Sequence, residues 1–157
     1  LGAVARALEP LSFNANMTWV ESEVTTGGSM LVFLPFGAGL SELSQTERNR
    51  PLQGQSPYVA NLGLGWSRGG TNLTALYNLF GRRIDSVGGS TLPDIYEEGR
   101  GQLDLVLEQA FARGLSAKLS AKRILGSEME FTQEAEVVRS YDLGHVVSFS
   151  VSWDLGG

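Results

Sequence analysis

Apolar and polar residues alternate one for one through six stretches of this chain. Leu11, Phe13, Ala15, Met17 and Trp19 interleave with Ser12, Asn14, Asn16 and Thr18, and Tyr58, Ala60, Leu62, Leu64 and Trp66 with Val59, Asn61, Gly63 and Gly65. Leu73, Ala75, Tyr77 and Leu79 stand against Asn72, Thr74, Leu76 and Asn78; Leu103, Leu105 and Leu107 against Asp104, Val106 and Glu108. Leu115, Ala117, Leu119 and Ala121 alternate with Ser116, Lys118, Ser120 and Lys122. The last run sets Val147, Phe149, Val151, Trp153 and Leu155 against Ser148, Ser150, Ser152 and Asp154. Successive side chains of a strand point to opposite faces, so this pattern predicts six strands, each with one apolar face. Only Leu1, Val4, Ala5 and Leu8 fall at helical spacing, which predicts a helical turn before Pro10.

The connections sort by length. Ser67–Gly70 and Phe111–Gly114 are short, whereas residues 24–56, 81–101 and 125–145 form long ones. Short turns at one end and long loops at the other is the asymmetry of an outer-membrane barrel. A three-residue loop Ala112-Arg113-Gly114, with Gly114 left-handed, fixes one register. Leu107 then faces Leu119, Leu105 faces Ala121, Glu108 faces Lys118 and Asp104 faces Lys122. The four charges form a ladder on the polar side. If the apolar side meets lipid, Leu119→Arg is costly and Ser120→Arg nearly silent.

Composition narrows this picture only at the margins. The chain has 157 residues, a net charge of −5 and no cysteine. Scattered, sparse Lys and Arg argue against a nucleic-acid partner. The absence of Cys removes disulfide scaffolds and thiolate metal sites. Leu1 opens no basic segment with an apolar core, so the chain is expected to carry no secretion signal of its own. No stretch approaches the roughly 18 apolar residues of a membrane-spanning helix. A mean hydropathy of −0.03 suits a soluble domain and a barrel equally, because alternating strands average to neutral.

Candidate chemistry is thin. His145 is the sole histidine, with Ser148, Ser140 and Asp142 nearby, but alternate strand positions face opposite ways and no triad is expected. Glu97, Glu98 and Asp94 read as a solvated acidic loop rather than a cation site. No catalytic residue, metal site or cofactor is expected, and the pattern picks out no ligand-binding residue.

Two features favour lipid over a soluble sheet. Trp19, Tyr58, Trp66, Tyr77 and Trp153 belong to the apolar set and lie mostly near run ends, as interfacial aromatics do. Asn14, Asn16, Asn61, Asn72 and Asn78 occupy polar positions, where ordinary strands rarely place asparagine.

The stretch Arg50-Pro51-Leu52-Gln53-Gly54-Gln55-Ser56-Pro57-Tyr58-Val59-Ala60-Asn61-Leu62 closely resembles the segment leading into a late barrel strand of TonB-dependent outer-membrane receptors. Asn16-Met17-Thr18-Trp19 with Glu21-Ser22 resembles the strand before it, Leu76–Ile84 the next, and Leu103-Asp104-Leu105 the one after. Gly144-His145 stands where the family usually has Gly-Arg. The resemblance implies that residues 1–157 are the C-terminal portion of such a barrel, with plug and N-terminal strands absent. The family barrel has about 22 strands, so six would form an open, curved, antiparallel up-and-down sheet. It implies a Gram-negative outer-membrane location and a parent that takes up a scarce ligand of the ferric siderophore, cobalamin or glycan class. The fragment alone is expected to transport nothing. Expected partners are outer-membrane lipid, the missing plug and strands, and, through them, a TonB-type energising complex. Val147, Phe149, Val151, Trp153 and Leu155 have the form of an assembly signal. The competing expectation is a soluble β-sandwich or half-barrel binding module.

Overall fold

The computed structural model describes residues 10–33, 40–89, 92–126 and 128–154. The helical turn expected over residues 1–8, and Leu155, lie outside them. In chain order the strands are β1 (Leu11–Trp19), β2 (Val24–Phe33), β3 (Leu40–Arg50), β4 (Tyr58–Arg68), β5 (Thr71–Phe80) and β6 (Arg83–Ser86). They continue with β7 (Ile95–Glu97), β8 (Arg100–Ala110), β9 (Leu115–Leu125), β10 (Glu128–Gln133), β11 (Glu136–Asp142) and β12 (Val146–Trp153). The fold is all-β, and every strand pairing among the described residues is antiparallel.

Its main element is a six-stranded sheet in the order β1-β4-β5-β8-β9-β12. These are the six alternating runs of the sequence, each beside its predecessor. β1 and β12 form the two edges, so the sheet is open. One end carries two tight turns. Gly69 and Gly70 both have positive φ, 59° and 83°, as a two-residue hairpin turn requires. At the other turn Gly114 is left-handed at φ 73°, as expected, but so is Arg113 at 62°.

At the opposite end the long connections are not irregular. One contains the β2–β3 hairpin, and the other two interlock as a four-stranded sheet ordered β11-β10-β7-β6. The buried apolar side chains among the described residues, Ile84 and Phe131, belong to this small sheet. The six-stranded sheet contributes none, and among the described residues no second layer packs against it.

Its strands are staggered. The row beginning at Leu11 runs through Trp66, Leu73, Leu107 and Leu119 to Phe149. It leaves from the first residue of β1 and arrives mid-way along β12, whereas the middle of β1 is Ala15. Four residues of slip, about 13 Å, over five strand steps, about 24 Å, give a tilt of roughly 30°.

Candidate functional site

Directly paired residues share a face, so the register divides the sheet without ambiguity. One face carries every apolar set. Along β4 it reads Tyr58, Ala60, Leu62, Leu64 and Trp66, and along β12 Val147, Phe149, Val151 and Trp153. Nothing among the described residues covers it: Phe13 is 71% exposed, Phe149 68% and Trp153 66%. Trp19 stacks on Tyr58 at the loop end, with ring centroids 6.2 Å apart. At the turn end, Trp153 Nε1 donates to the Arg113 carbonyl at 3.0 Å.

Two distances describe this apolar band. From Tyr58 to Trp66 is eight residues, about 26 Å along the strand and about 23 Å along the normal to the tilt. Trp66 lies in the row of Phe149, and Trp153 lies four residues beyond Phe149 on a strand four steps away. That fall of one residue per strand nearly equals the stagger, so Trp66 and Trp153 stand at one level.

The second face is polar and hydrogen-bonded across the strands. Asn61 Nδ2 donates to Asn16 Oδ1 at 2.8 Å, and the hydroxyls of Ser116 and Ser152, and of Ser120 and Ser148, pair at 2.7 Å. Asp104, Glu108, Lys118 and Lys122 all sit on this face. Glu108 faces Lys118, with Nζ 2.8 Å from Oε1. Both side chains are about half exposed, so Glu108→Ala is expected to cost only ~0.2–1 kcal/mol in denaturant titrations.

The second rung of the ladder does not form. A bulge between Leu103 and Leu105 places Leu103 opposite Leu125. Arg123 in the bulge has φ 57°, and its N–H donates to Asp104 Oδ1 at 2.9 Å. Asp104 therefore holds the bulge backbone instead of facing Lys122. The expectation for Ser120 also changes. It is 7% exposed and bonded to Ser148, so an Arg there would not be silent.

Above the sheet, the acidic loop is not simply solvated. Glu97 is 4% exposed; its Oε2 accepts from Arg83 Nε at 2.8 Å and lies 2.6 Å from Arg83 Nη2. Glu98 pairs with Arg82 at 2.9 Å, and Asp94 accepts from the Gly88 N–H at 2.8 Å. Arg100, which the sequence did not single out, lies 3.9 Å from Glu97 Oε1 and 5.1 Å from the centroid of Phe80. Only the cross-strand register of β6 and β7, invisible in the alternation, brings Arg83 and Glu97 together.

Residues 51–57 are strapped to β6 of the small sheet and to the segments that follow β1 and β5. Leu52 N–H donates to Ser22 Oγ at 3.1 Å, Gly54 N–H to the Ile84 carbonyl at 2.8 Å, and Ser56 Oγ to the Gly81 carbonyl at 2.9 Å. Beside the strap is a cavity of about 160 Å³, lined by residues including Val20, Pro51, Pro57, Ile84 and Tyr96.

The residues weighed for a triad are occupied separately. His145 Nδ1 contacts the Arg123 carbonyl, Ser148 bonds Ser120, and Ser140 donates to Glu128 at 3.0 Å. Among the described residues no group of three His, Cys, Asp or Glu is placed to hold a metal. Comparison with protein-family models, curated proteins and solved structures finds no match to this chain.

Proposed function

We propose that this chain is a stretch of the wall of a large outer-membrane β-barrel, in a parent receptor of the TonB-dependent type. The observation that carries the reading is the uncovered apolar face. Exposed apolar patches on soluble monomers seldom exceed a few hundred Å², whereas here one face of six strands is apolar and bare. A transmembrane barrel needs an apolar band about 25 Å tall, strands tilted by about 35–45° and aromatic girdles. The band of about 23 Å and the tilt of roughly 30° come close to both. A soluble sandwich would require a second apolar layer on this face, and none packs there among the described residues.

On this reading the apolar face meets lipid, the polar face lines the lumen, and the tight turns lie on the periplasmic side. The small sheet stands above the outer surface. Plug and remaining strands belong to the rest of the parent, and Val147, Phe149, Val151 and Trp153 serve in barrel assembly. The receptor assignment, beyond a barrel, rests on the ordered set of motif resemblances, Asn16–Trp19, Arg50–Leu62, Leu76–Ile84 and Leu103–Leu105, over nearly the whole chain.

The test is the fate of the parent protein in a Gram-negative cell. It should sediment with the outer membrane, resist alkaline extraction and migrate faster unboiled than boiled. Recovery in the soluble fraction sinks the proposal. A finer expectation concerns depth: lipids brominated at defined acyl positions should quench Trp66 and Trp153 with the same depth profile. Profiles separated by more than about 7 Å, two residues of strand, would remove the tilt argument.

A further inference from the structure

A cleft lies where the strap of residues 51–57 meets the segment after β1 and the small sheet. One end of it is the cavity of about 160 Å³, walled by Val20, Pro51, Pro57, Ile84 and Tyr96. Main-chain bonds hold these walls in place. Val20 N–H donates to the Pro57 carbonyl at 2.9 Å, and Gly54 N–H to the Ile84 carbonyl at 2.8 Å. Glu21, Ser22 and Pro51 lead from this cavity into an open groove that also takes in Glu23, Asn49 and Arg50. Each guanidinium along the cleft already has a carboxylate. Arg50 lies 3.4 Å from Asp94, Arg82 2.9 Å from Glu98 and Arg83 2.6 Å from Glu97. Glu21 and Glu23 are exposed, and neither has an ion pair among the described residues.

We infer that this cleft binds a small arylalkylamine, with its ring in the cavity and its ammonium beside Glu21 and Glu23. The inference stands apart from the barrel reading, since it uses only the strap, the segment after β1 and the small sheet. Volume sets the size of the apolar part. An apolar cavity of about 150 Å³ takes a benzene-sized ring, so one ring fits here. The walls set its chemistry. A hydroxyl-rich ring would lose its water against them without finding partners, whereas an aromatic ring loses little. Charge sets the rest of the ligand. With the three guanidiniums balanced by their own carboxylates, Glu21 and Glu23 leave the cleft net negative, which attracts a cation and repels a carboxylate. A short alkyl linker lets the ring enter while the ammonium stays in water at the mouth, as a lysine does over an apolar surface. Both carboxylates are hydrated, so their selectivity is moderate.

The experiment titrates the isolated full parent protein with 2-phenylethylamine, with uncharged 2-phenylethanol and with anionic 3-phenylpropionate, followed by saturation-transfer NMR. The amine should bind with saturation below about 10 mM, the alcohol at least threefold more weakly and the carboxylate at least tenfold more weakly. Glu21→Gln with Glu23→Gln, a change of exposed side chains, should weaken the amine at least threefold and leave the alcohol within twofold of the parent. Val20→Phe, which fills the cavity with a ring of the protein's own, should weaken amine and alcohol alike by at least fivefold. The inference is overturned by an amine that does not saturate, by alcohol or carboxylate held as tightly as the amine, or by an amine affinity indifferent to either variant. None of these outcomes touches the barrel reading, which membrane fractionation tests on its own.

Discussion

Leu119→Arg is expected to destabilise the inserted parent barrel by about 2–4 kcal/mol, whereas Asn14→Arg should change its stability by no more than about 0.5 kcal/mol. The difference comes from depth and face together. Trp66 and Trp153 mark the turn-side level, and a fall of one residue per strand carries that level to Ser116 on β9. Half of the eight-residue apolar height above Ser116 is Ser120, so Leu119 lies one residue from mid-height. A guanidinium there enters hydrocarbon with no partner. Asn14 is exposed on the polar face, and its side chain lies over Gly63, where no Cβ competes for space. An Arg at that position keeps its water. Folding titrations into lipid vesicles measure both variants. Equal costs would mean that the two faces do not separate lipid from lumen, and the proposed function would fall.

How much of this was legible in the sequence follows from which forces act on each part. A sheet with one apolar face must alternate strictly, so the six long strands and their order could be read directly. Gly114 declared its turn because only glycine adopts positive φ without strain. Arg113 and Arg123 hold comparable conformations without that signature, at φ 62° and 57°. For this reason the second turn residue went unseen, and the bulge that separates Asp104 from Lys122 was missed with it.

The small sheet was hidden for related reasons. Its β10–β11 hairpin turns at Glu134-Ala135, with Glu134 at φ 57° and neither Gly nor Asn present. A register shift between Phe131 and Thr132 then breaks the period of β11, where Val137 and Val138 adjoin. Charge misled in the other direction. Glu97 looked solvated because acidic residues usually are, and its burial depends on a guanidinium fourteen residues earlier in the chain. A period-two reading has no access to such a pair.

That pair yields the second large effect. Arg83→Met should loosen the small sheet by about 2–3 kcal/mol while leaving the six-stranded sheet inserted. Removing one partner of a buried ion pair usually costs about 3–5 kcal/mol, because the remaining charge is stranded. The lower figure allows for Arg83, whose side chain is 38% exposed against 5% for Glu97. Arg100 cannot take over in place, because its Nη2 is 3.9 Å from Glu97 Oε1, beyond hydrogen-bonding distance, and that oxygen has no hydrogen-bond partner. The stranded carboxylate would act on a weak element, since β7 is only three residues long. Hydrogen exchange over residues 81–99 of the inserted protein should therefore accelerate about 30- to 150-fold in slowly exchanging amides. Adding Glu97→Leu removes the stranded charge, and an apolar pair of similar volume is often as stable as the ion pair it replaces. Exchange should return most of the way to the parent rate in that double variant. Unchanged exchange in Arg83→Met would show that the pair does not hold the sheet. Exchange as fast in the double variant as in the single one would show that Arg83 acts through packing rather than charge.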